Sequence, residues 1–168
     1  ESRGLGDVYK RQVGNQYYAM VSPVMIDAKN PLYSVNGVFN AIFIHGNVLG
    51  DAMFYGSGAG KLPTASAVVA DVVDCAKNKG RNIMMSWSEE KLNLLQIDDV
   101  KSRFFVRVSG HAAERQSEIE ELFGKVEIVA VPSLSEEFAF ITGEITEQEY
   151  REKAEKLDGI QSRIRARI

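Results

Sequence analysis

The densest chemical signal in this 168-residue chain is the run Gly56-Ser57-Gly58-Ala59-Gly60-Lys61-Leu62-Pro63-Thr64-Ala65. It joins a strand-like segment to a helix-like one, where unpaired backbone N–H groups and the positive end of the helix dipole favour an anion such as a phosphate. Glycines there let a ligand approach the main chain without meeting a side chain. The spacing departs from both familiar glycine-rich nucleotide motifs. Lys61 stands where a dinucleotide fingerprint has its third glycine, and no βαβ unit follows. Measured against a phosphate-binding loop, Leu62 replaces the Ser or Thr that holds magnesium, and Tyr55 replaces the first Gly. A bend that merely fits a tight strand-to-helix turn is the commoner meaning of such a run, so the motif alone leaves both readings open.

Other reactive residue types give weaker signals. His45 and His111 have no further ligand at metal-binding spacing, so a turn or surface role is expected of each and no metal site is assigned. Cys75 shares a helical segment with Asp71 and Asp74, whose charge disfavours a thiolate nucleophile. Glu118, Glu120 and Glu121 read as a solvated helix face. Arg163, Arg165 and Arg167 alternate along the last strand, and a charged outer face on an edge strand accounts for them.

The elements that must position these residues follow from periodicity. YYAMVSPVMI, VFNAIFIH and NVLGDAMFYG, between Tyr17 and Tyr55, are rich in aromatic and β-branched residues and predict antiparallel strands. Gly46-Asn47 suits the positive φ of a tight hairpin turn, and Pro23 belongs at an edge or a bulge. Ala65, Val68, Val69, Val72, Val73 and Ala76 recur at three- and four-residue steps, which predicts a helix from about Pro63 to Lys77 with Gly80 as its stop. After Ser102 the order is strand, helix, strand, strand, helix, strand. RFFVRVS alternates, Ala113 to Phe123 is helical with Ile119, Leu122 and Phe123 inward, and KVEIVAV and EFAFITG follow as strands. Thr146 and Glu149 form a capping box for the second helix. The last strand is expected to turn Ile160, Ile164, Ala166 and Ile168 to one side and its arginines to the other. Two helices on one face of a four-stranded antiparallel sheet result.

Composition bounds the rest. At 18.6 kDa, with 45% hydrophobic and 26% charged residues, the chain is an ordinary globular one with room for one domain or two small ones. No apolar run approaches the roughly 20 residues that span a bilayer, so no membrane partner is expected. A net charge of -3 gives nucleic acid no general attraction. One cysteine excludes an internal disulfide and fits a reducing, cytoplasmic setting. Residues 1–12 lack apolar periodicity and include GLGDVYKRQ, which resembles translated adapter sequence; a non-native or disordered tail is expected there.

The stretch NPLYSVNGVFNAIFIHGNVLGDAMFYGSGAGKLPTASAVVADVVD, residues 30–74, resembles the C-terminal part of the catalytic domain of homoserine dehydrogenase: the NAI run, the MFYG strand end, the GAG turn and PTASAVV occur together and in order. The segment after it resembles an ACT regulatory domain. The resemblance implies an α+β chain. A non-native or disordered tail (1–12) precedes part of the catalytic domain (13–80, antiparallel strands plus helix). A linker (81–102) and an ACT-like βαββαβ, ferredoxin-like domain (103–168) follow. It further implies an NAD(P)-dependent oxidoreductase interconverting aspartate semialdehyde and homoserine, on the route to threonine, methionine and isoleucine. In such enzymes the GAG turn returns to the cofactor, so Gly60, with Gly58 and Ala59 beside it, is the expected contact to NADP or NAD. No catalytic residue is assigned, because the family's nucleotide domain, substrate carboxylates and proton-donating lysine match nothing in these residues. The fragment alone is therefore expected to be inactive. A homo-oligomer, dimer or tetramer, and a small amino-acid effector such as threonine are implied as partners. Gly110-His111-Ala112-Ala113 lacks the Pro-Gly turn often found in ACT domains. An amino-acid-sensing binding module without catalysis is the alternative, and a structural assembly piece a third.

Overall fold

In a computed structural model, which describes residues 7–13, 16–81, 86–89 and 91–168, Asp7–Val13 (β1) and Gln16–Ser22 (β2) pair antiparallel from Asp7↔Ser22 to Val13↔Gln16. Residues 7–12 of the expected non-native or disordered tail thus lie in a strand. Val8, Tyr9 and Val13 are strand formers, and β2 offers a ladder that a reading of the tail by itself does not consider. Residues 1–6, 82–85 and 90, which hold parts of the expected tail and linker, lie outside the described residues. Pro23 interrupts the first apolar run, and Val24–Ile26 (β3) resumes it.

Residues 28–91 form one of two compact units. Asn30 caps a short 3-10 turn, Pro31–Ser34, by accepting the Leu32 N–H at 3.0 Å. Phe39–Gly46 (β4) and Gly50–Ser57 (β5) make the expected hairpin, in register from Phe39↔Ser57 to Gly46↔Gly50. The positive φ of its turn falls on Gly50 (+74°) and not on the expected Gly46-Asn47 pair. The connection is longer than a two-residue turn, so glycine is needed where the chain re-enters the ladder. Lys61–Lys77 (α1) carries the expected valine stripe, but has no buried residue; Val68, Val69 and Val72 are each more than half exposed.

The other unit holds β1 to β3 together with residues 92–168. The expected linker thus ends in structure: Asn93–Leu94 (β6) pairs parallel with β2, and a 3-10 turn at Ile97–Asp99 leads into Lys101–Ser109 (β7). There follow Ala112–Phe123 (α2), Glu127–Val129 (β8), Glu137–Ile141 (β9), the two-residue Ile145–Thr146 (β10), Glu147–Ala154 (α3) and Ile160–Arg167 (β11). The sheet order is β3-β11-β7-β9-β8, with β10 also on β7. The segment expected to belong with residues 28–80 joins this unit because β3 adds to β11 in parallel, Val24 opposite Arg165. Phe104, Val106 and Val108 of β7 and Phe138 and Phe140 of β9 meet Ile119 and Phe123 of α2 and Tyr150 of α3, giving the one described core cluster. The Phe104 and Tyr150 rings lie 4.5 Å apart and those of Phe123 and Phe140 5.2 Å, in tilted geometry that favours aromatic pairs.

The last strand departs from expectation. Its register shifts between Ile160 and Ser162, which sets Arg163 opposite Val106 and Arg165 opposite Phe104. The arginines therefore share the helix-covered face of the sheet with the core, while Ile164 and Ala166 share the other face with Phe105 and Arg103. A single irregularity in a ladder exchanges the two faces of a strand.

Candidate functional site

The glycine turn lies between β5 and α1, so a hairpin strand delivers it and a 17-residue helix fixes its exit. Gly58, Ala59 and Gly60 are all exposed and consecutive at the helix head. Gly60 is the N-cap, with φ +125° and ψ 156°, a conformation that L side chains rarely adopt. Its carbonyl accepts the Thr64 N–H at 3.1 Å. No side chain caps the helix, and no acidic residue stands in its first turn. Helices ordinarily recruit Ser, Thr, Asp or Asn for that purpose. Here the first amides, those of Lys61 and Leu62, meet no capping side chain and no competing first-turn carboxylate, Pro63 has no N–H to offer, and Lys61 adds a positive charge. The arrangement suits an anionic group meeting main-chain N–H donors.

Gly58 is a glycine for a different reason. A Cβ on it would lie 2.2 Å from Asn40 Nδ2 and 2.9 Å from Asn40 Cγ, so the Asn40 side chain occupies that space. Asn40 sits opposite Gly56 in the β4–β5 register. Its role was hidden in the sequence, where it appears as one polar residue inside an apolar strand; that mismatch was the available signal.

The remaining candidates are dispersed. His45 Nδ1 meets Asp51 Oδ1 across the hairpin, at directly opposed positions near its tip, with both side chains mostly exposed. His111 is the N-cap position of α2 but makes no side-chain cap. Cys75 is exposed and free on α1. Among the described residues no three His, Cys, Asp or Glu side chains converge as a metal site would require. Glu118 pairs with Arg115 at 3.0 Å and Glu120 accepts from Gln116 at 2.8 Å, both along the surface of α2.

The second unit holds a buried ionic cluster that local sequence did not reveal. Glu147, 5% exposed, takes Arg163 Nη1 at 2.8 Å on one carboxylate oxygen and Arg165 Nη2 on the other. The expected capping box is present beside it: Glu149 N–H donates to Thr146 Oγ1 at 3.1 Å, and the Thr146 N–H donates to Glu149 Oε2 at 2.7 Å. The hydrogen bond from the Thr146 backbone holds the Glu149 carboxyl below its usual range, with further help from the Thr146 side chain. Burial pushes the Tyr150 hydroxyl above its usual range against the opposing pull of Arg163. A cavity of about 230 Å³ lies elsewhere in this unit, with Tyr18, Met20, Val24, Arg103 and Ala166 on its walls. Arg103 is already engaged there, donating to the Thr142 carbonyl at 3.1 Å and the Ile168 carbonyl at 2.6 Å.

No helix among the described residues is long and apolar enough to cross a membrane. Residues 3–73 match the family model described as homoserine dehydrogenase. The homoserine dehydrogenase of Lactococcus lactis is 40% identical over 100 residues, which is 58% of this chain and 23% of that relative. That of Corynebacterium glutamicum is 54% identical over 61 residues, 36% of this chain and 14% of the relative. Among solved structures, a homoserine dehydrogenase from Thiobacillus denitrificans superposes on 94% of this chain and 41% of its own, with TM-score 0.73; at 24% identity this speaks to the fold. One from S. aureus covers 95% of this chain and 40% of its own, with TM-score 0.66 and 25% identity. The chain spans less than a quarter of the length of these two curated relatives.

Proposed function

We propose that this chain, whose residues 3–73 match the homoserine dehydrogenase family model, is the C-terminal part of an enzyme interconverting L-aspartate 4-semialdehyde and L-homoserine with NADP or NAD. The observation that carries the reading is the side-chain-poor turn Gly58-Ala59-Gly60 at the head of a helix with no capping side chain and no acid in its first turn. An anionic nucleotide group fits such a turn, because donors, dipole and Lys61 all favour it and nothing bulky intervenes. When bound, the nicotinamide supplies the hydride chemistry; the residues of this chain bind and orient.

By itself the chain offers the nucleotide one loop, so it binds weakly and catalyses nothing. The uncovered apolar faces support the view that further protein packs here. Ile42 and Phe54 project from one face of the β4–β5 ribbon and Met53 and Tyr55 from the other; all four are exposed, as is the valine stripe of α1. A two-stranded ribbon of that kind is marginal in water without a covering layer.

The order from β7 to β11, βαββαβ apart from the two-residue β10, supports an ACT-like domain that regulates, with threonine as the candidate effector, or that joins subunits of a cytoplasmic dimer or tetramer. The decisive experiment compares NADPH-dependent reduction of L-aspartate 4-semialdehyde by the 168-residue chain and by the intact protein that carries it. Turnover only by the intact protein supports the reading, and turnover by the short chain overturns its assignment as an incomplete enzyme. Threonine binding by the short chain, measured calorimetrically up to millimolar ligand, separates the regulatory role from the assembly role.

A further inference from the structure

We propose that Asn40 is a further nucleotide-contacting residue, its carboxamide standing beside the glycine turn as a side-chain donor to a phosphate oxygen; the inference rests on the reading of Gly58-Ala59-Gly60 as the nucleotide contact. Three observations converge on it. First, the position is costly for asparagine. Asn40 falls within Val38-Phe39-Asn40-Ala41-Ile42-Phe43, inside a strand, where Asn is disfavoured and where a β-branched or aromatic residue would serve the ladder better. A residue that contradicts its local structure is more often kept for function than for folding.

Second, the side chain is seated against the turn. Its Cβ, Cγ and Nδ2 lie 3.4, 2.9 and 2.2 Å from the point where a Cβ on Gly58 would stand. The absence of a side chain at 58 is therefore what admits the carboxamide. Gly58 has an ordinary φ, so conformational freedom does not explain its identity. Third, the carboxamide is unused. Asn40 is exposed, and its side chain has no hydrogen-bond partner among the described residues. Two N–H donors and one acceptor thus stand beside Gly58, two residues before the N-cap of the helix. A neutral donor at that spot extends the row of main-chain donors and adds no charge of its own.

The test uses the intact dehydrogenase, with the NADPH Kd measured calorimetrically without the second substrate, and steady-state KM for NADPH, KM for aspartate semialdehyde and kcat measured separately. Weaker NADPH binding by Gly60→Ala, set against wild type, tests the underlying reading of the turn independently of Asn40. Asn40→Ala is expected to raise the NADPH KM about tenfold, with kcat and the aspartate semialdehyde KM within twofold of wild type. Asn40→Asp keeps the shape but sets a carboxylate against the phosphate, so it is expected to raise the NADPH KM further than Asn40→Ala. Gly58→Ala pushes the carboxamide off its seat, and the Asn40→Ala/Gly58→Ala pair is expected to be no worse than the worse single variant. If Gly58→Ala does not fold, the two Asn40 variants carry the comparison. An Asn40→Asp enzyme with wild-type NADPH KM shows that Asn40 only fills space and overturns the proposal. A silent Asn40→Ala does the same.

Discussion

The guanidinium of Arg163 lies 4.7 Å from the centre of the Tyr150 ring, on the face of the sheet that carries the core. The contact joins β11 to α3 through an aromatic side chain that is itself 4% exposed. Arg163 also lies 5.4 Å from the Phe104 ring and pairs with Glu147, so one cation serves two rings and one carboxylate. The consequence is energetic: the edge of this core is closed by charge that is satisfied only while all partners remain.

Glu147→Ala is therefore expected to lower stability by about 3 kcal/mol, because it leaves the largely buried Arg165 without its carboxylate. Arg163 is 42% exposed and recovers water, so its share of the loss is small. Urea unfolding of the 168-residue chain, followed by far-ultraviolet circular dichroism, measures this. A loss under about 1 kcal/mol would show the cluster to be energetically idle.

The Glu149 carboxyl has a folded pKa below its ordinary value of 4.5, the Thr146 backbone hydrogen bond being the main cause. A depressed folded pKa gives stability that is present above the unfolded value and is lost as pH falls through the folded one. Glu149→Gln should therefore cost stability above about pH 4.5, where the carboxylate contributes, and converge on wild type as pH falls further, which flattens the acid limb. Chemical denaturation at stepped pH between 3 and 7 checks it; parallel acid limbs for variant and wild type would contradict it.

Tyr150 behaves in the opposite sense. Burial raises its folded pKa above 10.0, so the stability it contributes is complete below the unfolded value and is lost as pH rises through the folded one. Absorbance at an alkaline tyrosinate band should show one tyrosine titrating late, together with loss of structure. In Tyr150→Phe that late component should be missing.

Gly60→Ala forces a side chain into φ +125°, which costs about 1–3 kcal/mol of strain. Space is not the issue, since an added Cβ would meet Pro63 Cδ at an ordinary 3.5 Å. Thermal melting of the chain should record the loss, and the intact enzyme should bind NADPH more weakly. An unchanged melting midpoint would argue that the helix head relaxes freely.

Legibility in the sequence tracked how local each signal was. The valine stripe of α1, the Thr146 and Glu149 capping box and, the two-residue β10 apart, the strand and helix order after Ser102 depend on neighbours within a few residues and appear as expected. Alternation along an unbroken ladder puts Arg163 and Arg165 on the wrong face, because the shift near Ser162 is set by pairing with β7. The partnership of β3 with β11 and the seat of Asn40 against Gly58 are contacts between strands, invisible to periodicity. Of the turn itself, the residue types were legible; the uncapped helix head and the positive φ of Gly60 needed three dimensions.

The parallel pairing of Val24 with Arg165 also orders events during synthesis. About 140 residues separate the two partners, so a nascent chain must hold the first short strand waiting until the second has left the ribosome. Until then that strand is an open edge with apolar side chains, a natural client for a chaperone.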